Sequence, residues 1–484
     1  MSDTVLEPVR NEVGLAGKDP TLGLVVAGLS GGSGKSVVAV GLTAALALQG
    51  GQVAPFKKGP DYIDAGWLGL AAGGPCYNLD PYLMDWEVLR RSFYRHCRAK
   101  TFALVEGNRG LFDGVDLQGT CSTAGLAVGL MLPVLLVVDC TKTTRTVAAL
   151  VMGCRDFDPR VRLAGVVLNR IGTSRHETIV RQTVEHYTGV PVLGALPRSR
   201  QDVFPQRHLG VTPGPEHDDA EGAIARLAEW ADRYLDLAAI RASMAAIEQP
   251  PDRTGEEAMV TTAPMNGTPV RIGIIRDSAF QFYYRENLEA LQSEGAELVE
   301  INALTDQQLP ELDALYIGGG FPENSARELA ANRDFMQSLK ERVAAGLPVY
   351  AECGGLIYLG RSITLAGEIF ELAGIFPVDF ALERKPQAHG YTRVVLEGKN
   401  PFYPVGSIVS GHEFRYSRVI SWPEKPEMLA GPMERGVGFA GGRDGLVHKN
   451  VLALYTHVHA LGTPCWAPAL VSRAQRFRSS QALP

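Results

Sequence analysis

Short apolar runs alternate with helix-length amphipathic stretches from Leu22 onward. The runs in the first half are TLGLVVAGLS, GQVAPFKKG, TFALVEGN, PVLLVVDC, RLAGVVLNR and VPVLGALP. They are rich in β-branched residues and apolar at successive positions, so both faces of each strand are expected to be buried. A parallel sheet with helices on both faces meets that requirement. The pattern therefore predicts an α/β fold for the first half.

The alternation stops and then resumes in the second half. The segment EQPPDRTGEEAMVTTAPMNGTP is rich in Pro, Thr and Gly and poor in large apolar residues, which is typical of a linker. After it come PVRIGIIRD, a helix from about Glu286 to Glu294, AELVEI, LDALYIGGG, a helix before Gly346, and LPVYAEC. This series predicts a second α/β domain. The predicted division is a tail at 1–20, a first domain at 21–245, a linker at 246–269, a second domain at 270–475 and a tail at 476–484.

Composition limits the classes of partner. The chain has 484 residues, and its 47 Lys and Arg against 53 Asp and Glu give a net charge of -6. That charge provides no overall positive field for nucleic acid. No apolar run reaches the roughly 18 residues that cross a bilayer, and the N-terminus lacks a signal pattern, so we expect a cytoplasmic protein without a membrane partner. Seven cysteines without a C-x-x-C pair argue against a disulfide framework and a clustered zinc site.

The segment GLSGGSGKS, between a predicted strand and a predicted helix, is a candidate phosphate-binding loop. Gly31, Gly32 and Gly34 let backbone N–H groups converge on phosphate oxygens, and the helix N-terminus adds positive potential. Lys35 would reach the outer phosphates and Ser36 would hold Mg²⁺. The first glycine lies one residue further from the Gly-Lys pair than in G-x-x-x-x-G-K-[ST], so the loop is a longer variant. Nucleotide binding is the strongest inference from a single motif.

Carboxylates follow the strands whose ends should meet the phosphates. They are Asp61 and Asp64 in PFKKGPDYID, Glu106 and Asp113 in ALVEGNRGLFDG, and Asp139 in PVLLVVDC. Magnesium prefers oxygen ligands, and the carboxyl ends of strands are where open α/β sheets bind ligands. Acidic residues at loop starts are also common as helix caps, and this reading stays open for Asp139 and for Asp80.

In the second half, LPVYAECGGL places Cys353 between an apolar strand and a predicted helix. A sharp turn there would expose the sulfur, and the helix N-terminus would favour thiolate, as in a nucleophile elbow. The upstream glycines 318–320 and Gly354 offer backbone N–H groups for an oxyanion. A thiol nucleophile needs a nearby imidazole, and YTHVH supplies His457 and His459. We expect His459 to be a packed residue.

Eleven motifs in this order resemble the cobyrinic acid a,c-diamide synthase family: GLSGGSGKS, PFKKGPDYIDAGW, CYNLDPYLM, VEGNRGLFDG, LNRI, RHLGVTP, FQFYYRENL, GGGFPE, AECGGL, GHEFRYS and YTHVH. The resemblance spans nearly the whole chain outside the N-terminal tail and the linker. The first half is also similar to dethiobiotin synthetase, which has the longer phosphate loop. The resemblance implies an N-terminal P-loop parallel-sheet domain followed by a class I glutamine amidotransferase-like α/β domain.

The resemblance also implies roles for individual residues. Gly31, Gly32, Gly34, Lys35, Ser36 and Asn169 would bind ATP; Ser36, Asp61 and Glu106 would hold the metal; and Lys57, Asp61, Tyr62, Asp64, Asp80 and Asp113 would line the substrate site. Cys353 and His457 would be catalytic, with Gly320 and Gly354 as oxyanion donors. Lys58 departs from the apolar residue expected beside Lys57. His459 stands where most triad glutaminases have a Glu, so the group that orients His457 is not identified. His412 would serve domain structure or substrate contact.

A glutamine-dependent amidotransferase is the function that the resemblance implies. ATP and Mg²⁺ would activate the a and c acetate carboxylates of a cobyrinate-like tetrapyrrole as acyl phosphates, and glutamine would supply ammonia through a Cys353 thioester. Sirohaem and nickel-sirohydrochlorin present similar acetates and remain alternatives, whereas cobyric acid synthase ranks lower because its segment differs from KKGPDYID. From another class, SGGSGKS also resembles the loop of partitioning-type ATPase switches, which carry no glutaminase. A regulatory protein with an inactive glutaminase is a third reading, and a homodimer is left open.

Overall fold

The computed structural model describes residues 20–198, 206–207, 210–211, 219–248 and 268–481. Residues 1–19 of the predicted N-terminal tail, most of the predicted linker, part of the RHLGVTP motif and the last three residues lie outside these ranges. Within them, no helix combines the length and the apolar character that crossing a bilayer requires.

Seven parallel strands make up the sheet of the first half, in the order β3-β2-β4-β1-β5-β6-β7. The strands of this half are β1 (Leu22–Gly28), β2 (Val53–Lys58), β3 (Tyr77–Leu79), β4 (Phe102–Glu106), β5 (Val134–Asp139), β6 (Leu163–Ile171), β7 (Val192–Pro197), β8 (Gln206–Arg207), β9 (Gly210–Val211) and β10 (Ala245–Ala246). Strand β10 adds an antiparallel partner to β1, and β8 pairs with β9. The predicted parallel sheet is confirmed.

Helices cover both faces of this sheet. They are α1 (Lys35–Leu48), α2 (Ile63–Ala72), α3 (Trp86–Cys97), α4 (Thr123–Gly129), α5 (Thr146–Phe157), α6 (Ser174–Thr188), α7 (Ala220–Tyr234) and α8 (Leu237–Ser243). Successive residues of a strand point to opposite faces, so Leu104 and Val105 of β4 enter different hydrophobic cores. This double burial is the reason that the strands are continuously apolar.

The second half is built on a ten-stranded mixed sheet, ordered β12-β11-β13-β14-β23-β22-β21-β18-β19-β24, beside a four-stranded sheet, ordered β16-β15-β17-β20. The strands are β11 (Val270–Ile275), β12 (Ala296–Ile301), β13 (Ala314–Ile317), β14 (Val349–Glu352), β15 (Ser362–Leu365), β16 (Glu368–Glu371), β17 (Asp379–Leu382), β18 (Ala388–Leu396), β19 (Ser407–Arg415), β20 (Ser417–Ser421), β21 (Leu429–Arg435), β22 (Arg443–His448), β23 (Val451–Leu454) and β24 (His457–Val458). The first five strands of the larger sheet are parallel, as α/β patterning predicts.

The helices of the second half are α9 (Arg285–Ser293), α10 (Ala326–Ala331), α11 (Arg333–Ala344), α12 (Gly354–Tyr358) and α13 (Trp466–Gln481). Helices α9 and α11 lie where the sequence predicts them. Helix α13 continues through residues 476–481, which the sequence analysis placed in the C-terminal tail. Its buried face, which includes Trp466 and Phe477, explains the continuation, because those side chains need the helix to reach the core.

Candidate active site

The phosphate-binding loop joins β1 to α1, as predicted. Gly34 has φ +95°, a left-handed conformation that favours glycine, and a Cβ at this position would overlap the side-chain amide of Asn169. That amide donates a hydrogen bond to the carbonyl of Ser33, at 2.9 Å. Lys35 is 8% exposed, and burial followed by the nearby Lys57 lowers its pKa. The loop is therefore held from behind by Asn169, which the sequence analysis assigned to the ATP site through the family resemblance.

Four of the predicted metal and substrate residues meet at the end of this loop. The hydroxyl of Ser36 donates to Oε1 of Glu106, at 2.8 Å. Nζ of the buried Lys57 lies 3.0 Å from the same oxygen and 2.6 Å from Oδ2 of Asp64. Burial alone would lower the pKa of Lys57, but Asp64 and Glu106 outweigh burial and hold it above the usual value. The lysine thus stays charged and keeps two carboxylates close together.

The carboxylates of this group differ in their electrostatics. Burial raises the pKa of Glu106 to about 7. Burial, with the neighbouring Asp64, raises the pKa of Asp61 to about 6, whereas Lys57 overcomes burial and lowers the pKa of Asp64. The backbone N–H of Asp64 donates to Oδ1 of Asp61, at 3.0 Å. Burial thus opposes the charged forms of Glu106 and Asp61, whereas Lys57 favours the charged form of Asp64.

These residues fit a magnesium ion held jointly with nucleotide phosphates. Oε2 of Glu106 is buried and has no hydrogen-bond partner among the described residues. In the same ranges, no three His, Cys, Asp or Glu side chains form a metal-binding group by themselves. Magnesium commonly takes one or two protein oxygens and completes its shell with water and phosphate. The hydroxyl of Ser36 and the free oxygen of Glu106 suit that arrangement.

The remaining acidic candidates occupy three different settings. Asp113 lines the cavity described below, and its Oδ2 accepts from Gly110 N at 2.8 Å. Asp80 does not line it, because its side chain is fully buried and accepts a hydrogen bond from Tyr391 of the second half, at 3.0 Å. Asp139 pairs with Arg170 outside the cavity. Asp80 thus differs from the expected substrate contact and links the two halves of the chain.

Cys353 forms the predicted elbow between β14 and α12. Its backbone has φ 45° and ψ −96°, a strained conformation for a residue with a side chain. Its N–H donates to Leu454 O, at 2.7 Å. The residue is 6% exposed and lines the cavity. All seven cysteines of the chain are free thiols.

The glycines around Cys353 have different roles. Gly354 opens helix α12, where the first N–H groups have no acceptor within the helix. A Cβ on Gly354 would lie 2.9 Å from Gly320 N, so the two candidate oxyanion donors are neighbours. Gly318 is unsuitable as a donor, since its N–H is used by the Tyr283 hydroxyl at 2.8 Å. A Cβ on Gly319 would overlap the His457 ring, so this glycine makes room for the imidazole.

His457 lies beside Cys353 and meets a carboxylate that the sequence analysis missed. Its Nδ1 is 3.6 Å from Oε2 of Glu352, the residue before the candidate nucleophile. Burial opposes a charged imidazole, but Cys353 and then Glu352 raise the pKa of His457 to about 10. The available signal was a single acidic residue at the end of the apolar run LPVYAE. The ring of His457 also stacks on His412, with centroids 4.9 Å apart.

His459 and His412 have distinct positions. His459 is fully buried, as expected for a packed residue, and its Nε2 lies 3.6 Å from Oε1 of Glu286. The same oxygen accepts from the backbone N–H of Asn78 in β3, at 2.8 Å. His412 lines the cavity and is 3.1 Å from the Tyr284 hydroxyl. Both histidines therefore lie where the two halves meet.

One cavity of about 740 Å³ connects the two candidate sites. From the first half it is lined by Gly32, Ser36, Lys58, Asp61, Tyr62, Asp64, Arg109 and Asp113, and from the second half by Gly320, Glu323, Cys353, Tyr391, His412, Arg435 and His457. Tyr62 packs against Phe282 across the boundary, with ring centroids 4.6 Å apart. The sulfur and the phosphate-binding loop therefore open into a common space.

Two family models match the two halves. Residues 24–209 match a CobQ/CobB/MinD/ParA nucleotide binding domain, and residues 271–464 match a CobB/CobQ-like glutamine amidotransferase domain. Both matches agree with the predicted order of functions along the chain.

Relatives with matches along most of their length are named cobyrinate a,c-diamide synthase. The protein of that name from Magnetococcus marinus is 42% identical over 459 residues, which cover 93% of this chain and 97% of that protein. The one from Archaeoglobus fulgidus is 38% identical, with 94% and 97% covered, and the one from Streptococcus sanguinis is 36% identical, with 90% and 95% covered.

Proposed function

The chain belongs to the cobyrinate a,c-diamide synthase family of ATP-dependent, glutamine-hydrolysing amide ligases, and we propose that it amidates the a and c acetate carboxylates of a cobyrinate-like tetrapyrrole. The observation that carries the proposal is the shared cavity, which brings Ser36 and Asp64 together with Cys353 and His457. A carboxylate is a poor electrophile and ammonia is mostly protonated in neutral water. The two ends of the cavity would solve these two problems next to each other.

At the ATP end, a substrate carboxylate oxygen attacks the γ-phosphorus and forms an acyl phosphate, with ADP as the leaving group. Lys35 and the loop N–H groups bind the phosphates and stabilise the charge that grows on their oxygens. When bound, Mg²⁺ would neutralise part of that charge, held by Ser36 and Glu106 with Asp61 beside them. Lys57 keeps the carboxylates of Asp64 and Glu106 in place.

At the glutaminase end, the sulfur of Cys353 attacks the side-chain amide of glutamine. The N–H groups of Gly320 and Gly354 receive the negative oxygen of the tetrahedral intermediate. His457 donates the proton that lets ammonia leave, and water then hydrolyses the thioester to glutamate. Ammonia crosses the cavity and attacks the acyl phosphate, which releases inorganic phosphate and leaves the amide.

Cationic side chains in the cavity support a substrate with several carboxylates. Lys58 is 5% exposed and lines the cavity with Arg109 and Arg435. Burial is the main cause that lowers the pKa of Lys58, and Asp80 opposes it. A macrocycle with several acidic side chains would place non-reacting carboxylates against this side of the cavity.

The test is mass spectrometry of cobyrinate, sirohaem and nickel-sirohydrochlorin, each incubated with the protein, ATP, Mg²⁺ and glutamine. We expect cobyrinate to lose about 1 Da at each of two successive steps, as a hydroxyl is replaced by an amino group. Two amidations of sirohaem or nickel-sirohydrochlorin alone would move the assignment to that macrocycle. ATP hydrolysis without amidation of any of the three macrocycles would favour a partitioning-type switch. Such switches carry no glutaminase, whereas residues 271–464 of this chain match a glutamine amidotransferase domain.

A further inference from the structure

Glu352 ends β14 with its carboxylate buried against the candidate catalytic base. The residue is 1% exposed. Its Oε2 lies 3.6 Å from Nδ1 of His457 and accepts from the Tyr316 hydroxyl at 3.3 Å, while Oε1 accepts from Val458 N at 3.3 Å. Among the described contacts of this carboxylate, the cation is the protonated ring of His457. A buried carboxylate needs such partners, since burial without them is costly.

We infer that Glu352 is the positioning residue of the glutaminase site, and that it holds the His457 imidazole with Nδ1 toward its own carboxylate and Nε2 toward Cys353. This inference rests on the proposed roles of Cys353 and His457. The carboxylate fixes the ring orientation and stabilises the imidazolium that forms when the base takes the thiol proton. It does not touch glutamine or the reacting sulfur.

The strained elbow explains how adjacent residues serve one imidazole. Neighbouring side chains of a regular strand point to opposite faces, so Glu352 and Cys353 would normally diverge. The positive φ of Cys353 turns the chain after β14 and brings the sulfur to the side of His457. Gly319, whose Cβ would overlap the ring, leaves the space in which the imidazole lies between them.

The position two residues after the base does not offer an alternative carboxylate. His459 occupies it and faces Glu286, which is bound to Asn78 of the first half. Other groups near the imidazole are His412, stacked on its ring, and Tyr316, which reaches it through Glu352. Cys353 and Glu352 favour the charged form of His457 against the effect of burial, and Glu352 is the carboxylate that contacts the ring.

Replacing Glu352 by Gln tests the inference, because Gln keeps the size and the acceptor for Val458 N but removes the charge. We expect the kcat for glutamine hydrolysis to fall by about 100-fold with KM within about twofold, since a triad orienter acts on the chemical step. Loss of the negative charge should also move the alkaline limb of the pH profile to lower pH. Amidation driven by added ammonia should be unchanged.

The control is Glu413→Gln, the same change at another buried glutamate, whose carboxylate accepts from the N–H groups of Val437 and Gly438. If the two variants have the same kcat for glutamine hydrolysis and the same alkaline limb of the pH profile, the inference is overturned. Cys353→Ala separates it from the proposed function, because retained glutamine use in that variant would refute the nucleophile itself. If Glu352→Gln also loses ammonia-driven amidation, the variant Glu352→Asp decides the question. In that variant the kcat for glutamine hydrolysis should fall about tenfold, while the alkaline limb of its pH profile stays in place. An unchanged kcat for glutamine hydrolysis would contradict the inference.

Discussion

At the scale of single residues, the ATP end depends on a carboxylate whose charge its surroundings control. Glu106 receives the Ser36 hydroxyl on one oxygen, meets Lys57 on the same oxygen, and leaves the other oxygen without a partner among the described residues. A buried charge is tolerated when it is paired. Removing one partner of a buried ion pair destabilises a protein by more than the net contribution of the pair to stability, because the other charge is left buried and unpaired. This carboxylate is suited to hold a cation that arrives with the nucleotide.

We predict that Glu106→Gln stops amidation and spares the glutaminase. The amide keeps the shape but lacks the negative charge that a cation and Lys57 require, so amidation should fall by at least about 100-fold. Glutamate release from glutamine should stay within about twofold, because Cys353 and His457 are untouched. The two rates are measured on one sample by mass spectrometry and by a glutamate assay.

The matched control for Glu106 is Glu87→Gln, an exposed glutamate of α3 whose pair with Arg91 should contribute little. We expect that variant to keep both activities. Unchanged amidation in Glu106→Gln would remove this residue from the mechanism.

At the scale of elements, both candidate reactive segments are strand-to-helix turns with conformations that ordinary residues avoid. Gly34 lies at the start of α1 with φ +95°, and Cys353 at the start of α12 with φ 45°. In each case the turn leads directly into a helix N-terminus, whose first N–H groups favour negative charge. Strain at these turns is offset by the sheets that hold both ends of each turn.

We predict that Gly34→Ala weakens ATP binding by at least about tenfold. An alanine at this position would have to adopt a disfavoured positive φ, which costs about 1 kcal/mol or more of conformational free energy. It would also displace the Asn169 amide, with loss of the hydrogen bond to Ser33. A fluorescent ATP analogue measures the dissociation constant directly.

Gly50→Ala is the comparison for Gly34, because Gly50 has φ +84° with no atom within 4 Å of the new methyl group. That variant should lose about 1 kcal/mol of stability, with ATP affinity preserved. Equal ATP affinity in the two variants would show that the geometry of the loop at Gly34 is not needed.

At the scale of the whole molecule, contacts between the halves surround the cavity and keep its two ends in one compartment. Tyr391 donates to Asp80, and the Tyr284 hydroxyl donates to Pro60 O at 3.2 Å. The Tyr77 hydroxyl donates to Glu289 Oε1 at 3.0 Å. These partly buried hydrogen bonds across the boundary oppose separation of the halves, since opening would break them.

This closure predicts that nitrogen from glutamine reaches the product without mixing with the solution. In ¹⁵N-ammonium buffer with unlabelled glutamine, the new amide should be almost entirely ¹⁴N, because released ammonia meets the acyl phosphate inside the cavity. Mass spectrometry of the product measures the ratio. Cys353→Ala in the same buffer should incorporate ¹⁵N, and a label that follows bulk ammonium in the unaltered protein would contradict the internal route.

The agreement between sequence and structure is best where chemistry lies in contiguous residues. The loop from Gly28 to Ser36 and the elbow at Cys353 are each coded by glycines beside a reactive residue, so local rules of backbone geometry suffice to find them. The parallel sheet is equally local in origin, because burial on both faces leaves a continuous apolar run. The sequence predicts a helix from about Glu286 to Glu294, within about a residue of α9 at Arg285–Ser293.

The amino-acid sequence by itself determined the α/β architecture and the phosphate loop and predicted Cys353 as the nucleophile, because each follows from a few neighbouring residues. The choice of His457 over His459 as the base rests on the family resemblance. Only the tertiary structure decided which groups meet across long separations. Glu352 contacts the imidazole of His457 in another strand, and Tyr391 contacts Asp80 from 311 residues away. Such contacts depend on how the sheets pack and how the two halves join. Burial in that packing also shifts the pKa of the ionisable groups that meet there. No periodicity along the chain encodes that geometry.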